Sequence, residues 1–141
     1  MLDVEFISAI SVLGSAQWNA IAGLDYPFTR YEFLHALETS GAVAADKGWQ
    51  PHHIVVRREA DIIAVMPLYI KTHSYGEYVF DWSWAEAYQR HGRPYYPKLL
   101  AAIPFTPATG PRLCVADEAE REEVMQALAS VLPAHAKEMN A

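Results

Sequence analysis

Only one cysteine, Cys114, stands among the 141 residues. No internal disulfide can form, and the expected compartment is a reducing cytoplasm. No apolar run approaches the roughly 18 residues of a membrane-spanning helix, so no membrane span is expected. Lysine and arginine are sparse: 11 against 17 Asp and Glu, for a formal net charge of −6. That balance excludes a general grip on nucleic acid backbones, which takes clustered cations, and no DNA partner is expected. No Lys or Arg precedes Arg30, so the opening MLDVEFISAISVLGSAQWNAIAG lacks the basic start of a secretory leader. Metal-ligand spacings are missing too. There are no paired cysteines and no HExxH, and the adjacent His52 and His53 would point to opposite faces of a strand. No metal is expected. GxSxG elbows and phosphate-binding Walker loops are absent, and Cys114, within PRLCV, reads as inert core.

What remains is a chain of single-domain size, 52% hydrophobic and 20% charged, enough to bury a substantial core. Residues 4–7 read as an opening strand. Ser15–Ala22 reads as a short helix with Ser15 as N-cap and Gly23 as its stop, and Asp25-Tyr26-Pro27 as a turn. Thr29 and Glu32 stand three apart, the spacing of a capping box. The helix they open carries Phe33, Ala36 and Leu37 as its buried stripe and ends at Gly41. Runs 54–58 and 62–71 flank Glu59-Ala60-Asp61 as a β-hairpin. The second run, IIAVMPLYIK, is apolar at nearly every position, as in a strand covered on both faces. Pro67 marks a bulge or an unpaired edge within it. Residues 78–80 are a candidate strand, Trp82–Arg90 a helix capped by Asp81 and stopped by Gly92, and 112–115 a strand; 98–103 is too short to assign. Asp117 and Glu120 open a last helix with Val124, Leu128, Val131 and Leu132 as its stripe and Pro133 as its close. This order predicts one α/β domain over 1–141, its mixed, largely antiparallel sheet flanked by helices.

The densest signal lies in 74–115, which holds nine of the 17 aromatic residues together with Gly76, Gly92, Gly110 and five prolines. A core segment shows one clean apolar period. Here ring faces alternate with Glu77, Asp81, Glu86, Arg93, Lys98 and Arg112, which fits a groove wall or an irregular aromatic packing region. Asp81, Glu77 and Glu86 are candidate general bases, because desolvation beside Tyr78, Trp82 and Trp84 raises a carboxylate pKa. Capping of a helix accounts for Asp81 equally well. Arg93, Lys98 and Arg112 suit a bound phosphate or carboxylate, or surface pairing. Gln89-Arg90-His91-Gly92 resembles the first part of the Q/RxxGxG/A pyrophosphate loop of GNAT-type acetyltransferases. Pro94 stands where Gly or Ala would supply an N–H, so a helix ending at Gly92 is the simpler reading.

Four strings carry a wider resemblance: PFTRYEFLHALETSGAV (27–43), YGEYVFDWSWAEAY (75–88), YYPKL (95–99) and PFTPATGPRL (104–113). Together they resemble the FemAB-like family of bacterial predicted N-acyltransferases, whose name refers to peptidoglycan biosynthesis or recognition. The resemblance implies a GNAT-like fold, two such units in tandem in a longer chain, this being the N-terminal one with a C-terminal GNAT-like half as partner. It implies transfer of an acyl or aminoacyl group to an amine, with acyl-CoA or aminoacyl-tRNA as donor, no tightly bound cofactor, and a small-molecule or peptidoglycan-precursor substrate. Carried onto the matching motif positions, it implies a substrate-facing surface of Tyr75, Gly76, Trp82, Tyr95, Tyr96, Lys98, Phe105, Thr106, Gly110 and Arg112. Asp81 and Glu77 are its catalytic candidates. The alternative is a non-catalytic module that recognises a precursor, sugar or peptide through an aromatic groove. A unit separated from its partner half would expose an apolar face and form a homodimer.

Overall fold

The computed structural model describes residues 1–78 and 81–141. Among these, seven strands pair into two sheets and four α-helices pack around them. The first sheet contains β1 (Leu2–Ile7), β3 (His53–Arg58), β4 (Asp61–Met66) and β7 (Cys114–Val115), in the order β1-β3-β4-β7. The second contains β2 (Trp49–Pro51), β5 (Tyr69–Lys71) and β6 (Lys98–Leu100), in the order β2-β5-β6. Every pairing among the described residues is antiparallel. The helices are α1 (Ser15–Ala22), α2 (Tyr31–Thr39), α3 (Trp82–Arg90) and α4 (Arg121–Glu138). The expected α/β class with its antiparallel sheet is what forms, in keeping with a GNAT-like fold. No helix among the described residues is long and apolar enough to cross a membrane. The strand expected at 78–80 rests on Val79 and Phe80, which lie outside the described residues.

Strand alternation sends side chains of the first sheet to two cores. Val55 and Val65 pack with Ile7, Leu13, Trp18 and Leu34 under α1 and α2. Ile54, Val56, Ala64 and Met66 pack with Val124 and Leu128 of α4 on the opposite face. The sheet is thus covered on both sides, which explains the unbroken apolar run of β4. The hairpin turns at Glu59, whose φ of 55° is left-handed, and the pairing shifts register between Val56 and Arg57. The apolar run 62–71 is not one strand. Pro67 lacks the N–H to continue a ladder, and beyond it β5 leaves the first sheet to pair with β2 and β6.

Four local expectations are corrected. Gly14, not Ser15, occupies the N-cap of α1, and Ser15 is the first helical residue. Thr29 and Glu32 form no capping box: Thr29 is fully buried, its hydroxyl donating to the Tyr26 carbonyl, and α2 begins two residues later. Its first N–H, on Tyr31, donates to Asn19 Oδ1 at 2.9 Å, so α1 caps α2 across the fold. With that start Leu34 faces the sheet and is fully buried, while Ala36 is exposed. Pro133 does not close α4, which runs on to Glu138. Pro133 and Ala129 are both exposed, so the carbonyl left without a partner is open to water. At the other end Asp117 caps the short 3-10 turn Glu118–Glu120 that leads into α4, its Oδ1 accepting from the Ala119 N–H at 3.0 Å, while Glu120 at the N-cap of α4 makes no side-chain capping bond.

Candidate functional site

Antiparallel pairing of β5 with β6 places Lys71 directly across from Lys98. Like charges at facing positions repel, and burial makes that worse unless counter-charges lie between them. The turn after β5 and the start of α3 supply them. Lys98 Nζ donates to Asp81 Oδ2 at 2.6 Å, Glu77 Oε1 at 2.9 Å and Ser74 Oγ at 3.2 Å. Lys71 Nζ lies 3.8 Å from Glu77 Oε2 and 3.7 Å from the Trp49 ring centre, and donates to the Tyr75 carbonyl at 2.8 Å. Trp49 Nε1 donates to the same carbonyl at 3.1 Å, so both lone pairs of Tyr75 O are used. The side chains of Lys71 and Glu77 are 0% and 2% exposed, and that of Asp81 9%. Two ammonium and two carboxylate groups thus balance in a nearly closed space.

The cluster sets its own titration. Burial alone would raise the Asp81 carboxyl, but hydrogen bonds from Lys98 and from the Tyr95 hydroxyl (2.7 Å) outweigh it and hold the pKa at about 2. The raised pKa expected for Asp81 is therefore corrected. So is its role as a cap: Asp81 precedes α3, yet its carboxylate makes no capping bond and is aimed at Lys98 and Tyr95. Burial lowers Lys98 less than Asp81 and Glu77 raise it, and its net shift is upward. For Lys71, burial dominates; with the charge of Lys98 nearby it outweighs Glu77 and brings the ammonium down to about 8. The Tyr95 phenol is pushed up by burial and by its bond to Asp81. Glu77 Oε2 and Asp81 Oδ1 are buried without a hydrogen-bond partner among the described residues.

Aromatic rings surround this centre. Tyr75 and Trp82 are exposed and meet edge-on at 5.4 Å. Tyr95 and Tyr96 bring their rings within 5.1 and 5.6 Å of Lys98 Nζ, and Tyr96 shares a short hydrogen bond with Ser74. Phe105 leans on Trp49 at 5.6 Å, and its N–H donates to the Gly76 carbonyl. Gly76 has φ 82°, and a Cβ there would lie 2.5 Å from the Phe105 ring, so the turn carrying Glu77 needs glycine. Of the surface expected from the motifs, Tyr75, Gly76, Glu77, Asp81, Trp82, Tyr95, Tyr96, Lys98 and Phe105 come together.

The remaining expected residues have other partners. Thr106 bonds back to the Pro104 carbonyl. Gly110 lies against Tyr26, whose ring a Cβ would approach to 2.3 Å. Arg112 donates to the carbonyls of Ala108, Gly110 and Pro111, knitting the loop before β7 rather than holding an anion. Glu86 pairs with Arg90 on the open face of α3. The N–H groups of His91, Gly92 and Arg93 all donate to carbonyls of the last helical turn, so that turn is a helix end and not a phosphate cradle. Lys71 is the member that sequence reasoning missed. Its one signal was a lysine closing an otherwise apolar run.

Elsewhere, His52 and His53 point apart as expected. His52 stacks on Phe6 at 4.8 Å and meets His135 Nε2 at 2.8 Å. His53 bonds Glu38 at 2.8 Å and accepts the Leu68 N–H. No group of three metal-ligating side chains gathers among the described residues. Cys114 is buried, and burial pushes its thiol pKa up.

Residues 9–141 match the family model FemAB_like, described as peptidoglycan biosynthesis/recognition. No curated protein and no solved structure matches the chain.

Proposed function

The chain belongs to the FemAB-like family, and from that premise we propose that it is the N-terminal, acceptor-binding unit of an enzyme that transfers an acyl or aminoacyl group to an amine of a peptidoglycan precursor. The observation that carries this reading is the pair of buried carboxylates, Glu77 and Asp81, each keeping one oxygen without a hydrogen-bond partner among the described residues. A buried acceptor left unpaired costs free energy that an incoming N–H donor restores. An ammonium supplies three such donors. Both oxygens are closed to solvent, so the amine enters by movement of the turn that carries Tyr75 to Glu77.

Asp81, held ionised, anchors the ammonium, and Glu77 takes the proton that the nitrogen must lose. The free amine then attacks the donor carbonyl, a C–N bond forms, the bond to the thioester sulfur or the tRNA ester oxygen breaks, and the nitrogen's second proton leaves on the departing thiol or hydroxyl. The donor, an acyl-CoA or an aminoacyl-tRNA, is a co-substrate bound with the C-terminal GNAT-like half. The site of reaction in this account is the cytoplasm. A thermal-shift screen tests the reading, since a ligand of the native state alone must raise its stability. A saturable shift with an amine-bearing precursor and none with acetyl-CoA assigns the acceptor half to this chain. A shift with CoA thioesters adds the donor site. No shift with the precursor ends the reading.

One observation favours the second reading, a module that recognises the precursor without chemistry. A carboxylate with a pKa of about 2, as in Asp81, is a poor base at neutral pH. Turnover by the longer protein separates the two: Glu77→Gln abolishes it in the transferase, and a recognition module has none to lose.

A further inference from the structure

Two carboxylates, Glu77 and Asp81, balance two ammonium groups, Lys71 and Lys98, in the buried cluster. An amine that enters as its ammonium brings one positive charge too many. Burial makes an uncompensated charge costly, and the side chains of Lys71 and Glu77 are 0% and 2% exposed. One of the three nitrogens therefore gives up a proton.

Lys98 is fixed in its charged form. Its Nζ donates to Asp81 Oδ2, Glu77 Oε1 and Ser74 Oγ at 2.6, 2.9 and 3.2 Å, and its pKa is raised. Lys71 has no such hold. Its bond of 2.8 Å goes to a neutral acceptor, the Tyr75 carbonyl, which an uncharged amine keeps as well. Its 3.8 Å to Glu77 Oε2 is beyond hydrogen-bond reach. That oxygen has no partner among the described residues, so an ammonium that takes it comes between Lys71 and its counter-charge.

The other neighbours of Lys71 offer no replacement. From β2 it meets the Trp49 ring, 3.7 Å to the centre. Tyr69, two residues back on β5, is kept uncharged by burial, which pushes its phenol up. His73, two residues on, is turned to the Tyr75 N–H. The charges that act on Lys71 are those of Glu77, Lys98 and Asp81. Burial and Lys98 already bring its ammonium down to about 8, and one more positive charge takes it below neutrality.

We propose that Lys71 releases its proton when an amine enters between Glu77 and Asp81, so that one ammonium replaces another and the cluster stays neutral. This rests on the acceptor reading above and adds the regulation of that site: pH sets affinity for the amine through Lys71. One Nζ–H bond of Lys71 breaks, its electron pair stays on the nitrogen, and the proton passes to water admitted as the turn of Tyr75 to Glu77 opens. Lys71 acts on the substrate through Glu77 and is a positioning residue.

The test is calorimetry with an N-terminally blocked peptide that carries one free lysine side chain, and with the same peptide acetylated on that nitrogen. Titration at pH 7 in phosphate and in Tris, buffers with different ionisation enthalpies, counts the protons. Expected is the release of about one proton per free-amine peptide bound, and about tenfold tighter binding at pH 7 than at pH 6. In Lys71→Met no proton is released, affinity is flat between pH 6 and 8, and binding at pH 7 is tighter than in the native chain, which damage to the site would not produce. Lys71→Gln, which keeps a donor for the Tyr75 carbonyl, gives the same result. Saturable binding without proton release, release that persists in both variants, or equal affinity at pH 6 and 7 overturns this proposal and leaves the acceptor reading standing. No binding of the free-amine peptide at any pH overturns both.

Discussion

Replacing Lys98 with methionine removes the one cation that holds both carboxylates by hydrogen bonds. Lys98 Nζ touches Asp81 at 2.6 Å and Glu77 at 2.9 Å, and the three side chains are 16%, 9% and 2% exposed. These are buried pairs, not the surface pairs that contribute about 0–1 kcal/mol. Breaking a buried pair from one side costs about 3–5 kcal/mol, because a desolvated charge is left behind. Lys71, 3.8 Å from Glu77, offsets part of this for Glu77 and does less for Asp81. A loss of about 4 kcal/mol follows, a large share of the roughly 5–15 kcal/mol that stabilises a domain. Urea unfolding at pH 7, followed by tryptophan fluorescence, reads it directly. Carbon-detected titration of Asp81 in the variant shows its pKa above the usual 3.8, since burial then acts with less opposition. Neutralising the whole cluster, with Lys71→Met, Glu77→Gln and Asp81→Asn added, recovers most of the stability, as buried ion networks exchanged for neutral groups do. A loss below about 1 kcal/mol for Lys98→Met refutes the reasoning, because the cluster then behaves as a surface pair.

The other predictions concern pH and packing. Asp81 titrates at about 2 instead of 3.8, so its contribution of about 2 kcal/mol is complete above pH 4 and lost as pH falls toward 2; Asp81→Asn flattens that acid limb in denaturant melts. Lys71 titrates at about 8 instead of 10.5. Between those values the unfolded chain binds more protons, so stability rises with pH by about 3 kcal/mol, and Lys71→Met shows no such rise. Gly76→Ala strains a φ of 82° and drives a methyl into Phe105, for a loss of about 2 kcal/mol in thermal or urea unfolding. Leu34→Ala empties a fully buried position under the first sheet and costs about 2–5 kcal/mol in the same assays.

Much of the framework was legible because it obeys local rules. The hairpin of β3 and β4 declares itself through two apolar runs and a polar turn, and α1 and α3 through the glycines that follow them. What escaped is tertiary in origin. The cap of α2 comes from Asn19, twelve residues away in the chain and adjacent only after folding. The apolar run 62–71 reads as one strand; Pro67 was noted, but that the chain changes sheets there depends on β2 and β6. Pro133 breaks helices in general, yet an exposed carbonyl on α4 tolerates it.

The site shows the same division. Its members on 75–105 were visible as motif positions and dense aromatics. Their roles were not, because the sign of the Asp81 shift depends on Lys98 and Tyr95 reaching one carboxylate. Lys71 was invisible as a site residue because its partner across the sheet is set by strand register. Arg112 had the right chemistry for an anion, and the loop carbonyls around it took all of it.

The most direct test of the amine-binding claim is calorimetry of this chain with two stem peptides that differ only at one side-chain nitrogen, free in one and acetylated in the other. Among the described residues Glu77 and Asp81 each keep one buried oxygen without a hydrogen-bond partner, and a charged donor bonds such an oxygen more strongly than a neutral amide N–H. The account predicts saturable binding of the free amine, at least tenfold weaker binding of the acetylated peptide, and loss of that difference in Glu77→Gln and Asp81→Asn. Equal binding of both peptides contradicts it.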